Sequence, residues 1–207
     1  MIRKNIVIFI SGEGTNMLSL IQATKKNDYP AEIVGVFSDN SNAQGLVKAR
    51  KEKVPTFPIP YKDYISRREH EKAILMQLSS IQPDLICLAG YMRLLSRDFV
   101  ESYKNKILNI HPSLLPLFPG LHTHRRVLQS GIKITGCTVH MVTANMDEGP
   151  IIAQAAVPVS SQDTESSLSQ KVLSAEHLLY PLALKYTILG KTSNSNDHHH
   201  LIGDCAQ

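Results

Sequence analysis

Short runs of consecutive apolar residues recur along the first half of the chain. Residues 6–10 are all β-branched or aromatic, and residues 33–37 and 85–89 are also largely apolar. Such runs are typical of strands that are buried on both faces, as in a parallel sheet. Between and after them, apolar residues three or four positions apart predict helices that start near Asn16 and span 43–53, 63–80 and 96–103.

The pattern changes in the second half of the chain. Residues 134–142 and 151–159 are two strand-like segments with only a short turn between them, which predicts an antiparallel pair at one sheet edge. Shorter strands are predicted at 56–59 and 107–110, and a long C-terminal helix is predicted after Asp163 or Thr164. The prediction is therefore an α/β, Rossmann-like, mostly parallel twisted sheet of about seven strands with helices on both faces.

Composition favours one globular domain. The chain has 207 residues, of which 43% are hydrophobic, and we place the domain at 1–191 and a disordered polar tail at 192–207. The formal net charge of +4 is spread thinly and tryptophan is absent, so nucleic acid is not an expected partner.

The cysteine count and the lengths of the apolar runs suggest where the protein acts. Cys87, Cys137 and Cys205 are an odd number at wide spacings, which predicts neither a disulfide framework nor a zinc motif. No run approaches the roughly 20 apolar residues that a membrane span needs. We expect a cytoplasmic protein without a membrane or metal partner.

A glycine-containing loop, 11–16, joins the first predicted strand to the first predicted helix. Backbone amides at a helix N-terminus attract anions, so Ser-Gly-Glu-Gly-Thr-Asn predicts a phosphate site. Thr15 or Asn16 could cap the helix with its side chain. The alternative is a tight turn that binds nothing. A dinucleotide fingerprint is incomplete because position 17 is Met, although Asp39 follows the second strand where a ribose-binding acid would lie.

A proline-rich loop, 112–120, follows the strand at 107–110. Alternation along that strand points Asn109 and His111 the same way, while Leu108 and Ile110 face a core. The prolines and Gly120 should prevent a helix directly behind the pair. An amide beside a proton-donating residue can stabilise an oxyanion, which predicts acyl transfer. The alternative is a buried, hydrogen-bonded histidine at a strand end.

Asp147 lies in the turn after the sixth predicted strand. If that strand neighbours the fifth, the carboxylate can reach His111 and favour its imidazolium form. Otherwise Asp147 is ordinary turn chemistry before Gly149. His122, His124 and His140 raise the question of a metal, but no ligand set has a recognisable spacing, so a solvated or supporting role is expected for them.

Together these segments resemble the glycinamide ribonucleotide formyltransferases, folate-dependent enzymes of purine biosynthesis. The resemblance runs from about residue 4 to 191 and rests on the segments 11–16, 89–95, 109–116, 119–124 and 147–150. It implies the formyltransferase fold. It also implies that Gly14, Thr15 and Asn16 hold a ribonucleotide phosphate, with Glu176 near the ribose. The residues that it places against 10-formyltetrahydrofolate are Arg67, Met92, Arg93, Leu94, Leu95 and Asn109.

The same resemblance makes Asn109, His111 and Asp147 the catalytic trio. The implied reaction moves the formyl group of 10-formyltetrahydrofolate to the amine of glycinamide ribonucleotide. The protein is expected to be a monomer or a weak homodimer. Formyltetrahydrofolate hydrolase shares the loop and the trio but is expected to carry an extra N-terminal domain. Methionyl-tRNA formyltransferase is expected to carry an extra C-terminal one. A non-catalytic nucleotide-binding module would need only the loop.

Overall fold

The computed structural model describes residues 3–190, and the predicted tail at 192–207 lies outside these described residues. Within them, seven strands form one sheet in the order β3-β2-β1-β4-β5-β6-β7. The strands are β1 (Lys4–Ile10), β2 (Ala31–Ser38), β3 (Thr56–Pro58), β4 (Leu85–Leu88), β5 (Ile107–His111), β6 (Ile134–Met141) and β7 (Ile151–Pro158). Strands β1 to β5 pair in parallel, whereas β6 is antiparallel to both β5 and β7. The predicted sheet and its antiparallel edge pair are confirmed.

The described residues also form six α-helices: α1 (Thr15–Thr24), α2 (Gln44–Lys51), α3 (Arg67–Ile81), α4 (Arg97–Ser102), α5 (Thr123–Ser130) and α6 (Glu165–Ile188). The predicted start of α3 at residue 63 was wrong. Residues Tyr61–Asp63 form a short 3₁₀ turn, and α3 begins only after Ser66, whose hydroxyl accepts the Glu69 N–H. A polar N-cap of this kind fixes a helix start more strongly than apolar spacing does.

Helix α5 was not predicted. The prolines and Gly120 do keep residues 112–120 out of a helix, but α5 begins at Thr123, three residues later. Its N-cap, His122, has a left-handed backbone, and its buried residues are Thr123 and Val127. Because α5 buries so narrow a face, its apolar pattern is weak in the sequence.

Two apolar clusters lie on opposite faces of the sheet, as alternation along β1 requires. Ile6, Ile8 and Ile10 pack in the cluster that includes residues of α1 and α6. Val7 and Phe9 pack in the other cluster, with residues of α3 and α4. All five side chains are completely buried. Helices therefore cover both faces of the sheet.

Helix α6 is held against the centre of the sheet by Tyr180. Its ring is fully buried, and its hydroxyl lies 3.1 Å from the carbonyl oxygens of both Leu88 and Leu108, to which it can donate. Those carbonyls belong to the neighbouring strands β4 and β5. The anchor sets where Glu176, one turn earlier on α6, meets the loop that follows β1.

Candidate active site

Asn109 and His111 lie on one face of β5, opposite the face of Leu108 and Ile110. Leu108 and Ile110 pack in the cluster beneath α6, so alternation turns Asn109 and His111 the other way. The His111 Nδ1 atom lies 3.4 Å from Oδ2 of Asp147, and both side chains are less than a tenth exposed. The structure therefore brings the three predicted residues together, and β6 does lie beside β5.

Asp147 is held in place by the backbone of the proline loop. Its Oδ2 accepts the Gly120 N–H at 2.8 Å, and its own backbone has a left-handed φ of 57°. An aspartate tolerates this conformation better than most residues because its short polar side chain can bond locally. The loop after β6 thus folds back until its carboxylate reaches the ring of His111.

The orientation of the His111 ring follows from its two acceptors. Nε2 lies 3.0 Å from the carbonyl oxygen of Phe118, to which it can only donate, and Nδ1 faces Asp147. The ring is therefore anchored at Nε2, and its Nδ1 edge lies at ion-pair distance from the carboxylate. Ser113 braces the loop, because its hydroxyl donates to the Leu117 carbonyl at 2.6 Å.

His140 is a member of this site that sequence reasoning did not assign to it. It lies directly opposite Asn109 across the β5–β6 pair, with its Nε2 3.2 Å from Asn109 Nδ2 and 3.7 Å from Asp147 Oδ1. Burial lowers the pKa of His140, against the opposing effects of the Met141 carbonyl and Asp147. Only the pairing of His140 with Asn109 could have indicated this role. The two residues are 31 positions apart, so predicting the pairing requires the register of β5 and β6.

The residues that the sequence raised as metal ligands do not form a cluster. Among residues 3–190, no group of three or more histidine, cysteine, aspartate or glutamate side chains is arranged to hold a metal ion. His124 on α5 is half-buried, and burial lowers its pKa.

The loop between β1 and α1 depends on Gly14. This residue has a left-handed φ of 69°, and a Cβ atom placed there would lie 2.9 Å from the Cα of Gly45. The predicted capping of α1 by Thr15 or Asn16 was wrong. Gly14 itself is the N-cap, and no side chain bonds to the first-turn amides. Those amides therefore suit an anion at the positive end of the helix.

The Asn16 side chain instead points inward to α6. Its Nδ2 donates to Oε2 of Glu176 at 2.6 Å, and both residues are more than nine-tenths buried. Burial raises the pKa of Glu176 to about 7, although the hydrogen bond from Asn16 opposes this effect. The start of α1 and the middle of α6 thus meet at a polar corner, which consists of Gly14, Thr15, Asn16 and Glu176.

The segment after β4 is tied to the ends of β1 and β2. The Met92 N–H donates to the Ser11 hydroxyl at 2.8 Å, and Arg93 Nε donates to Oδ2 of Asp39 at 2.7 Å. The Arg93 guanidinium also lies 4.2 Å from the centroid of the Tyr61 ring. Asp39, which sequence reasoning considered for a ribose, therefore holds Arg93.

Exposed apolar groups and a cavity accompany this anchored segment. The side chains of Met92 and Leu94 are exposed, and Leu95 is half-buried. A cavity of about 350 Å³ opens beside them, lined by Ser11, Asp39, Asn40, Pro60, Lys62, Met92 and Arg93. Arg67 stands apart, exposed at the first position of α3, and its side chain bonds to no other described residue. The segment can offer apolar surface and backbone groups to a flat ligand.

Residues 4–184 match the family model described as formyl transferase. The chain belongs to the formyl transferase family. The match covers every strand of the sheet and every site residue described above, and only the last residues of α6 lie beyond it.

Members of this family with closely similar sequences support the assignment. The chain is 41% identical over 187 residues to the phosphoribosylglycinamide formyltransferase of Escherichia coli (strain K12), covering 90% of this chain and 88% of that protein. It is 48% identical over 185 residues to the trifunctional purine biosynthetic protein adenosine-3 of Gallus gallus, covering 89% of this chain. The chain spans only 18% of the length of that relative.

The fold of this formyl transferase agrees with a solved structure. The phosphoribosylglycinamide formyltransferase of Brucella melitensis superposes with a TM-score of 0.85 at 58% sequence identity, over 88% of this chain and 94% of that one. The β5–β6 arrangement described above therefore belongs to a fold that has been solved before.

No helix within residues 3–190 is long and apolar enough to cross a membrane.

Proposed function

We propose that this protein transfers the formyl group of 10-formyltetrahydrofolate to the amine of 5-phosphoribosyl-glycinamide. The products are formylglycinamide ribonucleotide and tetrahydrofolate, in de novo purine (IMP) biosynthesis. The observation that carries the proposal is the cluster of Asn109, His111 and Asp147 at the end of β5, in a chain of the formyl transferase family. The names of the Escherichia coli and Brucella melitensis relatives support the choice of acceptor.

The trio suits the tetrahedral intermediate of this reaction. Attack of the amine on the formyl carbon forms the C–N bond and leaves a negative oxygen. The amide hydrogen of Asn109 and a hydrogen on His111 Nδ1 can donate to that oxygen, because Nε2 of His111 is already bonded to the Phe118 carbonyl. Asp147 balances the charge of the imidazolium from 3.4 Å away.

Collapse of the intermediate returns the electron pair to carbon and breaks the bond between the formyl carbon and N10 of the folate. That nitrogen takes up the proton lost by the attacking amine, through water, so atoms and charge balance. In this reaction the amides of Gly14, Thr15 and Asn16 bind the phosphate, and Glu176 binds the ribose. Arg67 and the segment from Met92 to Leu95 bind the folate.

The wider setting is part of the same proposal. Residues 1–191 are taken as one catalytic domain, supported by the single sheet to which every described strand belongs. The partners are two small molecules, with 10-formyltetrahydrofolate as co-substrate and no metal. A cytoplasmic location and a monomer or weak homodimer stay predictions from the sequence.

One assay with two conditions tests the proposal. The purified full-length protein is given 10-formyltetrahydrofolate with and without glycinamide ribonucleotide, and tetrahydrofolate and formate are both measured. Formation of tetrahydrofolate that requires the ribonucleotide, with no formate, is expected. Formate release without the ribonucleotide would indicate a hydrolase. Binding of either molecule without turnover would indicate a nucleotide-binding module and would overturn the proposal.

A further inference from the structure

His140 makes two contacts that together define which of its nitrogens carries hydrogen. Its Nδ1 lies 3.1 Å from the carbonyl oxygen of Met141, which can only accept, so Nδ1 must be the donor. Its Nε2 then carries hydrogen only if the ring is a cation. The second contact, 3.2 Å from Asn109 Nδ2, needs an acceptor on His140, because the amide nitrogen only donates.

The surroundings of His140 favour the neutral ring. The residue is 2% exposed, and desolvation disfavours a charge. The titratable groups that face it are Asp147 on the loop after β6, which favours the cation, and His111 on β5, which opposes it. The Asp147 carboxylate lies closer to His111, with Oδ2 at 3.4 Å, than to His140, with Oδ1 at 3.7 Å.

We propose that His140 is a positioning residue whose neutral ring accepts one amide hydrogen of Asn109 at Nε2 and thereby aims the other amide hydrogen at the reacting oxygen. Of the two histidines beside Asp147, His140 is then the one whose Nε2 acts as an acceptor. The inference about the amide stands on the β5–β6 geometry, and its effect on turnover rests on the proposed function.

The alternative arrangement has a different hydrogen pattern. A cationic His140 would donate from Nε2 to Asp147, and the Asn109 amide would turn to present its oxygen to the ring. The amide oxygen would then lie where the amide nitrogen now lies, so Asn109 would present an acceptor there instead of a donor. Since the amide oxygen and nitrogen are assigned from their partners, the charge of His140 decides which end of Asn109 faces the reacting oxygen.

Two substitutions separate the two nitrogens of His140. In His140→Gln the end of the side chain lies near the position of Nε2 and offers an acceptor that does not titrate. In His140→Asn the shorter side chain can replace only Nδ1, so Asn109 loses its acceptor. We expect His140→Gln to keep turnover within about threefold of the unchanged protein. His140→Asn should lose about 10- to 100-fold in kcat, the cost of a misplaced catalytic group.

The matched control is His70→Gln. His70 lies on α3, away from the trio, and is also 2% exposed. Its Nε2 contacts the Ile59 carbonyl oxygen at 2.8 Å. The His70→Gln variant shows what the loss of a buried histidine does to stability. Its kcat should stay unchanged. KM for both substrates should change less than kcat in His140→Asn, because the amide of Asn109 is required mainly for the reacting oxygen.

Nitrogen-15 NMR of the histidine rings tests the inference without any activity. At neutral pH the His140 ring, assigned by its loss in His140→Gln, should show a protonated Nδ1 and a bare Nε2. A hydrogen on Nε2 would overturn the proposal, and so would equal turnover, high or low, in the Gln and Asn variants. If the unchanged protein shows no transfer to glycinamide ribonucleotide, the proposed function fails while the NMR result still stands or falls by itself.

Discussion

Asn16 on α1 donates a 2.6 Å hydrogen bond to Glu176 on α6, although the two residues are 160 positions apart in the chain. This contact closes the corner between the Gly14 loop and the C-terminal helix. It also buries a carboxyl group whose pKa is raised to about 7. The corner should therefore respond to pH in a way that the rest of the fold does not.

The first prediction is that Glu176 makes the fold less stable as the pH rises. Between its usual pKa of 4.5 and about 7, the folded protein holds a proton that the unfolded chain has released. The free energy of unfolding therefore falls as pH increases through this window. At 1.36 kcal/mol per pH unit, the loss above pH 8 amounts to about 3 kcal/mol at most.

Glu176→Gln isolates this contribution, because it keeps the shape of the side chain and cannot ionise. Urea unfolding of both proteins at pH 5 and pH 8.5 gives the difference in unfolding free energy between variant and unchanged protein at each pH. The change in this difference between the two pH values is the test. The variant should gain stability relative to the unchanged protein at the higher pH. A constant difference across the two pH values would show that the Glu176 carboxyl ionises without penalty in the fold.

The second prediction concerns Gly14. Gly14→Ala forces a Cβ atom to within 2.9 Å of Gly45 and strains a left-handed backbone, so the α1 amides should shift. KM for glycinamide ribonucleotide should rise at least tenfold, and KM for the folate should stay within about twofold, since the phosphate is assigned to these amides. Steady-state kinetics with each substrate varied in turn measures both constants.

Gly12→Ala is the matched control for this prediction. A Cβ atom at Gly12 meets no protein atom within 4 Å, so the α1 amides should not shift, and KM for the ribonucleotide should rise much less than in Gly14→Ala. Equal increases for the two substrates in Gly14→Ala, in a protein whose circular dichroism is intact, would argue against a phosphate at this loop.

The third prediction concerns the trio. Asn109→Ala and His111→Ala should each lose about 10² to 10³ in kcat, as is typical of one preorganised oxyanion donor. Substrate binding, measured by equilibrium titration, should change little. Asp147→Asn removes the carboxylate that faces the His111 ring but keeps the ring itself, so its loss in kcat should be smaller than that of His111→Ala.

A double variant tests whether Asp147 acts through His111. Residues that act as one unit give non-additive losses, so His111→Ala with Asp147→Asn should be little worse than His111→Ala alone. Losses that multiply would mean that the two residues act independently.

The fourth prediction concerns the anchor of the folate segment. Asp39→Ala frees Arg93, and KM for 10-formyltetrahydrofolate should rise about tenfold. A charge-assisted hydrogen bond contributes about 1.5–3 kcal/mol, and a tenfold change corresponds to about 1.4 kcal/mol. KM for the ribonucleotide should rise less. Asp63→Ala removes an exposed carboxylate from the neighbouring turn, and with it the two Michaelis constants should not change.

Arg93→Ala should differ from Asp39→Ala in stability. It leaves the Asp39 carboxylate, 4% exposed, without its one ion-pair partner among the described residues. Losing one partner of a buried pair costs about 3–5 kcal/mol, and the low end applies here because Arg93 itself is half-exposed. Thermal unfolding of the two variants should rank Arg93→Ala below Asp39→Ala. The opposite order would show that the Asp39 charge is not desolvated.

The sequence by itself determined the features that depend on neighbours along the chain. Continuous apolar runs identified the strands, because a strand buried on both faces has no polar side to show. Alternation put Asn109 and His111 on one face of β5, and the position of Gly14 before an apolar helix indicated a loop that needs glycine. Thr164 capping α6 was also within reach, since a capping side chain acts within three residues.

Tertiary structure decided what depends on register and on contacts between distant segments. The pairing of Asn109 with His140 follows from the register between β5 and β6, and the contact of Asn16 with Glu176 follows from the packing of α1 on α6. Local propensity carries no information about either. A shift of one residue in register would turn His140 to the other face of the sheet, so only the assembled sheet places it beside Asn109.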